Sequence, residues 1–208
     1  MADASGNVQL NANLEPNMIS LLRSFRALGG SQAGPLLDAA VFNNSLRAAP
    51  GIASSNLRNT GQERIEGTIG IGSVGDLLNT GADRFVTYQA PSGASPGRLA
   101  IRLDRSIAPQ IISNISPEAE DYLSALMAPA VTGESLSRTQ YLQLVRSIYG
   151  GPLADEIAAS RINAVITVPG TIRSARGAVS HSGREARFSI ALVDMLVLEQ
   201  PLEYEITW

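Results

Sequence analysis

Apolar and polar positions alternate without a break across NVQLNANL. Val8, Leu10, Ala12 and Leu14 fall on one side, and Asn7, Gln9, Asn11 and Asn13 on the other. That is the pattern of a strand with one face buried. After Pro16 the period changes. Met18, Leu21, Leu22, Phe25 and Leu28 recur at helical spacing, with Asn17 as the expected cap and Gly29-Gly30 as the stop. A second helix is expected from Pro35, running LLDAAVFNNSLRAA to Pro50-Gly51. Residues 52–58 then read as strand and NTGQ as a turn, with Ile65, Ile69 and Ile71 on one face of the next strand. RFVTYQ and RLAIRLD pair around the loop PSGASPG. Leu99, Ile101 and Leu103 face one way, while Arg98, Arg102 and Asp104 alternate with them.

The middle of the chain is helical. Ser116-Pro117 with Glu118 and Glu120 starts one helix, whose inner face carries Tyr122, Leu123, Leu126 and Met127. Ser137 and Gln140 form a capping box, with Leu136 and Tyr141 in staple positions. Tyr141, Leu144, Val145 and Ile148 follow at helical spacing until Gly150. A short helix, PLADEIAASR, leads into the strand INAVITV. Strands return in REARFSIAL and LEYEITW, where Leu202, Tyr204, Ile206 and Trp208 alternate with Glu203, Glu205 and Thr207. Strands, then helices, then strands predict one α+β domain over residues 1–208: an antiparallel or mixed sheet, helices packed on one face, and a C-terminal β-hairpin.

Composition narrows the function classes. The chain has 208 residues, 44% hydrophobic and 17% charged, as in an ordinary globular protein. A net charge of −3 gives no general affinity for nucleic acid, so none is expected as a partner. There is no cysteine and one histidine, so no thiolate metal site forms and no metal or cofactor is expected. The longest apolar run, FSIALVDMLVL at 188–198, contains Asp194 and is too short to span a membrane; it reads as a buried strand and turn. The opening MADASGNVQL has no signal-peptide pattern, and reads as a start placed on a mature, exported chain.

Each candidate for chemistry has a structural alternative. Gly70-Ile71-Gly72-Ser73-Val74-Gly75 matches GxGxxG, but the preceding strand is half polar, and no acid lies between Asp83 and Asp104. His181 sits in a Gly/Ser turn with no GxSxG elbow and no positioned partner, so no catalytic residue is assigned. Asp155 and Glu156 read as first-turn acids that complement a helix macrodipole. Glu203 and Glu205 share the outer face of a strand and read as a solvated edge. Arg173, Arg176, Arg184 and Arg187, opposed locally only by Glu185, form a candidate patch for anionic lipid headgroups. The apolar faces of the two middle helices supply a candidate cleft for an apolar ligand or partner: Tyr122, Leu126, Met127, Tyr141, Leu144 and Ile148.

VPGTIRSARGAVSHSG, followed by an apolar strand and EITW, resembles the closing motif of LppM-type bacterial envelope lipoproteins. The matching positions are Pro169, Gly170, Ile172, Gly177, Gly183 and Trp208, with ALVDMLVLEQP inserted before the last strand. The stretch DYLSALMAPAVTGESLSRTQYLQLVRSIYGGPLADEI is similar to a group of spirochaete (Treponema-like) lipoproteins of unassigned function. These resemblances imply an exported protein held at the membrane of the cell envelope, periplasm or outer membrane, through an N-terminal lipid anchor. They imply no catalytic residues. The expectation is therefore a non-enzymatic envelope lipoprotein that binds a lipid, an apolar ligand or an envelope component. The alternative is a surface-exposed, adhesin-like module for protein–protein interaction. In either case Pro169-Gly170 reads as scaffold that redirects the chain.

Overall fold

The computed structural model describes residues 6–13, 15–28, 35–61, 63–74, 76, 85–109 and 123–208. Strand β1 (Gly6–Asn13) is followed by helices α1 (Pro16–Leu28) and α2 (Ala39–Ala48). Strands β2 (Ile52–Gly61), β3 (Arg64–Ile71), β4 (Val86–Gln89) and β5 (Arg98–Leu103) come next. The helical middle comprises α3 (Pro129–Thr132), α4 (Arg138–Tyr149) and α5 (Gly151–Ala159). Then come β6 (Arg161–Thr167), β7 (Ser174–Arg176), β8 (Ser180–Ser182), β9 (Glu185–Ala191), α6 (Leu192–Val197) and β10 (Leu202–Thr207). The α+β class stands, but the strands form two sheets rather than one. A six-stranded sheet has the order β2-β3-β1-β6-β9-β8, and a four-stranded sheet has the order β4-β5-β10-β7. Every pairing between these strands is antiparallel.

Register decides which face of each sheet is buried, because directly opposed residues share a face. Across the larger sheet, Leu57, Gly67, Leu10, Ala164 and Phe188 lie on one cross-strand line, and Ser55, Ile69, Val8, Ile166 and Ala186 on the next. The opposite face carries Asn56, Thr68, Gln9, Val165 and Arg187. One face is therefore apolar. Its β2–β3–β1 end is covered by α2, where Ala39, Leu57 and Ile65 are buried against Leu10, Leu46 and Ile69. Its β6–β9 end is covered by the second sheet: Ala186 and Phe188 pack with Ile206, Leu99 and Tyr88. The β8–β9 hairpin supplies the predicted C-terminal hairpin, while β10 belongs to the other sheet.

The helices form their own core. Met18 and Leu22 of α1 pack with Tyr141 and Val145 of α4, Leu153 and Ile157 of α5, and Val193 and Val197 of α6. The side chains of Phe25 and Leu28 in the predicted α1 stripe lie outside the described residues. The capping box is present: Gln140 N donates to Ser137 Oγ, and Ser137 N to Gln140 Oε1. The second helix starts later than expected, at Ala39, because Asp38 takes the extended cap conformation and accepts from Ala40 and Val41 N–H groups. The stretch 192–197, expected as turn, is helical.

Glu156 has a different role from the one its sequence position suggested. It lies beyond the first turn of α5, and its carboxylate accepts from Asn17 N at 3.1 Å and Met18 N at 2.7 Å. It thus caps the N-terminus of α1, where a negative charge is most favourable. Buried Glu63 also accepts from groups distant in the chain, from Arg23 Nη2 at 2.9 Å and from Leu36 N at 2.8 Å.

Candidate apolar ligand site

The two sheets do not close on each other along their whole length. On the smaller sheet, cross-strand pairing sets Leu103 beside Leu202, Ile101 beside Tyr204 and Leu99 beside Ile206. These side chains make one wall of a cavity of about 220 Å³. Ala164 and Ile166 of β6, with Phe188 and Ile190 of β9, make the facing wall, and Phe85 and Met195 complete it. The space exists because the larger sheet presents a small residue, Ala164, directly beside Phe188. At the far end the core closes. There Ile206, Val168, Ile172 and Ala186 pack around Trp208, whose ring stacks on Tyr88 with centroids 6.1 Å apart.

The wall chemistry is almost wholly apolar. Glu205 lies on this stretch of β10, but its carboxylate turns to the outer face and takes a 2.6 Å hydrogen bond from Arg98. Among the described residues Tyr204 is the one phenol in the wall, and its ring meets Phe188 edge-on at 5.4 Å. Burial, and then the charge of Asp194, push its pKa upward, so it stays a neutral hydroxyl across the physiological range. Such a cavity can hold an apolar group. Among the described lining residues none is a nucleophile beside a base.

On the outer face of the smaller sheet, Glu203 accepts from Arg102 at 2.8 Å and Arg176 at 3.1 Å. The Arg98 hydrogen bond and charge hold the Glu205 carboxyl below its usual range. The reading of Glu203 and Glu205 as an open edge face is thus corrected: β10 lies between β5 and β7, and both carboxylates are engaged by arginines from those neighbours.

The helical cleft expected from sequence is packed at its centre. Tyr141 is fully buried and donates to the Leu126 carbonyl at 3.2 Å, and Leu126 is buried beside it. Met127 and Leu144 are half-buried, Ile148 is exposed, and Tyr122 lies outside the described residues. The apolar cavity is between the sheets instead. The four arginines are exposed but do not share one surface. β7 joins the smaller sheet and puts Arg176 on its outer face, whereas Arg187 on β9 points to the outer face of the larger one. Arg187 meets Glu185 at 3.4 Å, and Arg184 Nε donates to the Val168 carbonyl at 2.8 Å. The segment 168–183 is a crossing between sheets: β7 pairs with β10, and β8 pairs with β9. His181 stands exposed on β8.

Pro169-Gly170 stands at that crossing. A Cβ on Gly170 would lie 2.7 Å from Trp208 Cδ1, so glycine leaves room for the indole. Gly70 and Ile71 of the GxGxxG run end β3, which pairs antiparallel on both sides rather than entering a βαβ unit; Gly75 lies outside the described residues. Among the described residues no helix is long and apolar enough to cross a membrane, and no acid–histidine cluster suited to a metal forms. The cavity residues that sequence reasoning missed were visible as two alternating strands, Leu99–Leu103 and Leu202–Ile206. What they face was not. No family model matches the chain, and no curated protein or solved structure does either.

Proposed function

We propose that this protein is a non-enzymatic binding module that holds an apolar ligand, such as part of a lipid, between its two sheets. The observation that supports this reading is the cavity walled by Leu99, Ile101 and Leu103 on one side and Ala164, Ile166 and Phe188 on the other. Concave apolar surface with few polar groups is the usual character of a small-molecule site. The proposal extends, on the two sequence resemblances alone, to a lipoprotein exported to the cell envelope and anchored by lipid at its N-terminus. That part falls if the native gene encodes no signal peptide with a lipid-attachment cysteine just upstream of Ala2.

The test of binding is native mass spectrometry of the protein after exposure to a bacterial lipid extract. A discrete adduct of one mass supports the reading. The bare mass, under conditions that keep a control lipid–protein complex intact, removes it. A second reading, docking to another envelope protein, is favoured by Val41 and Phe42, adjacent exposed apolar side chains on α2. Under that reading Val41→Ser with Phe42→Ser abolishes partner capture and leaves lipid adducts unchanged.

A further inference from the structure

We infer that the inter-sheet cavity takes a single alkyl chain, to a fixed depth, and leaves the polar end of the ligand outside. The inference rests on the apolar-ligand reading and narrows it.

Size decides the number of chains. A cavity of about 150 Å³ lined by Leu, Ile and Phe holds one benzene, and pockets for drug-sized ligands begin at about 300 Å³. At about 220 Å³, this space lies between them. Scaled from the six carbons of benzene in about 150 Å³, it holds about nine carbons. Two chains side by side do not fit to any useful depth.

Wall chemistry decides what stays outside. Among the described residues no guanidinium lines the cavity to receive a carboxylate or phosphate, and the carboxylate of Glu205 is turned away to Arg98. A charged headgroup buried there would be unpaired, at a cost of several kcal/mol. Recognition inside the cavity is therefore of the hydrocarbon alone.

The depth is fixed by a stop. Beyond Leu99 and Ile206, Trp208 fills the gap between the sheets, stacked on Tyr88 and set against Gly97 and Gly170. Both long walls are hydrogen-bonded ladders, β5–β10 and β6–β9, so they do not swell to admit a longer chain.

The experiment is a titration of the full chain with straight-chain primary alkanols, from butanol to dodecanol, whose headgroup is neutral and constant. Calorimetry gives the affinity, and the emission of Trp208, the only tryptophan, reports filling of the adjoining space. Affinity is expected to rise about fourfold per methylene, the equivalent of about 0.8 kcal/mol each. It should then level off once the chain reaches the length that the cavity holds, and a dialkyl glyceride should bind no tighter than its monoalkyl counterpart. Ala164→Phe, which places a ring in the cavity, should weaken the best alkanol at least tenfold while the protein keeps its native far-UV spectrum.

Affinity that keeps rising through dodecanol, or tighter binding of the dialkyl glyceride, overturns the single-chain inference while leaving the apolar-ligand reading intact. Failure of every alkanol to bind overturns both. Equal binding by wild type and folded Ala164→Phe puts the ligand elsewhere and also overturns both. The levelling-off is read on the wild type, so the inference stays testable even if the variant does not fold.

Discussion

Gly97 and Gly170 are separated by β5, the helical middle and β6, yet both lie against the same indole. A Cβ on Gly97 would sit 2.3 Å from Trp208 Cε2, closer than any real contact. The backbone there is tied as well, since Gly97 and Trp208 exchange two hydrogen bonds at 2.9 and 3.0 Å. The ring has nowhere to retreat among Val168, Ile172 and Ile206. Its Nε1–H is already buried with no hydrogen-bond partner among the described residues, so the site favours ring area over polar satisfaction. Gly97→Ala should therefore cost about 1–3 kcal/mol by overpacking. The check is urea unfolding together with Trp208 emission: native-like stability with an unshifted spectrum would show that the indole has slack.

Tyr141 gives a residue-scale prediction of a different kind. Burial, reinforced by Tyr149, pushes its phenol well above its ordinary value of 10.0. A raised folded-state pKa means that the group's contribution is complete below the unfolded value and lost as pH climbs beyond it. The unfolded chain then releases a proton that the native state holds. Tyr141→Phe removes the hydrogen bond to the Leu126 carbonyl and should cost about 1 kcal/mol at neutral pH. The same variant should lose less stability than wild type between neutral pH and about pH 11. Parallel unfolding curves across that range would rule out Tyr141 as a source of alkaline sensitivity.

At the scale of elements, α2 does more than cover apolar surface. Its Asn43 amide bonds both backbone groups of Leu57 on the outermost strand of the larger sheet, accepting from N–H at 2.9 Å and donating to C=O at 2.8 Å. Arg47 takes the Ser55 carbonyl at 3.1 Å. A helix side chain thus occupies hydrogen-bonding positions that a further strand would use, which protects an edge of ten residues from pairing with another copy. Asn43→Ala should leave those groups open and increase self-association, read by sedimentation velocity at matched concentrations of variant and wild type. An unchanged distribution would mean that the edge is guarded by something other than this amide. Elements also show what sequence can reveal. The capping box at Ser137 was legible because both partners lie within one turn. The cap that Glu156 gives to α1 was not, because it joins residues 138 and 139 apart in the chain. Local spacing encodes local bonds. The acid's neighbours in sequence pointed to its own helix, and only packing of α1 on α5 gave it a different one.

At the scale of the molecule, the alternation in each strand correctly marked an apolar side. It could not say how many sheets there are, because period two records that a face is covered and not what covers it. Leu202, Tyr204 and Ile206 fit a face under helices as well as they fit a face against another sheet. The candidate site was lost with that distinction: the helices close on Tyr141, and the space opens where sheet meets sheet. The same arrangement fixes where the stability of the β-sandwich resides. Its outer face carries the ion pairs of Glu203 with Arg102 and Arg176, all partly exposed. Pairs of that kind contribute about 0–1 kcal/mol, because water and salt screen them. Its inner face carries Ile206, buried beside Trp208 and itself part of the cavity wall. Glu203→Gln should therefore cost less than about 1 kcal/mol, and less still in high salt. Ile206→Ala should cost about 2–5 kcal/mol, with little dependence on salt. Urea unfolding of both variants at low and high salt separates the two contributions. A larger, salt-sensitive loss at Glu203 would mean that the two-sheet assembly depends on its charged exterior, and that the apolar seam holding the cavity is not what joins the sheets.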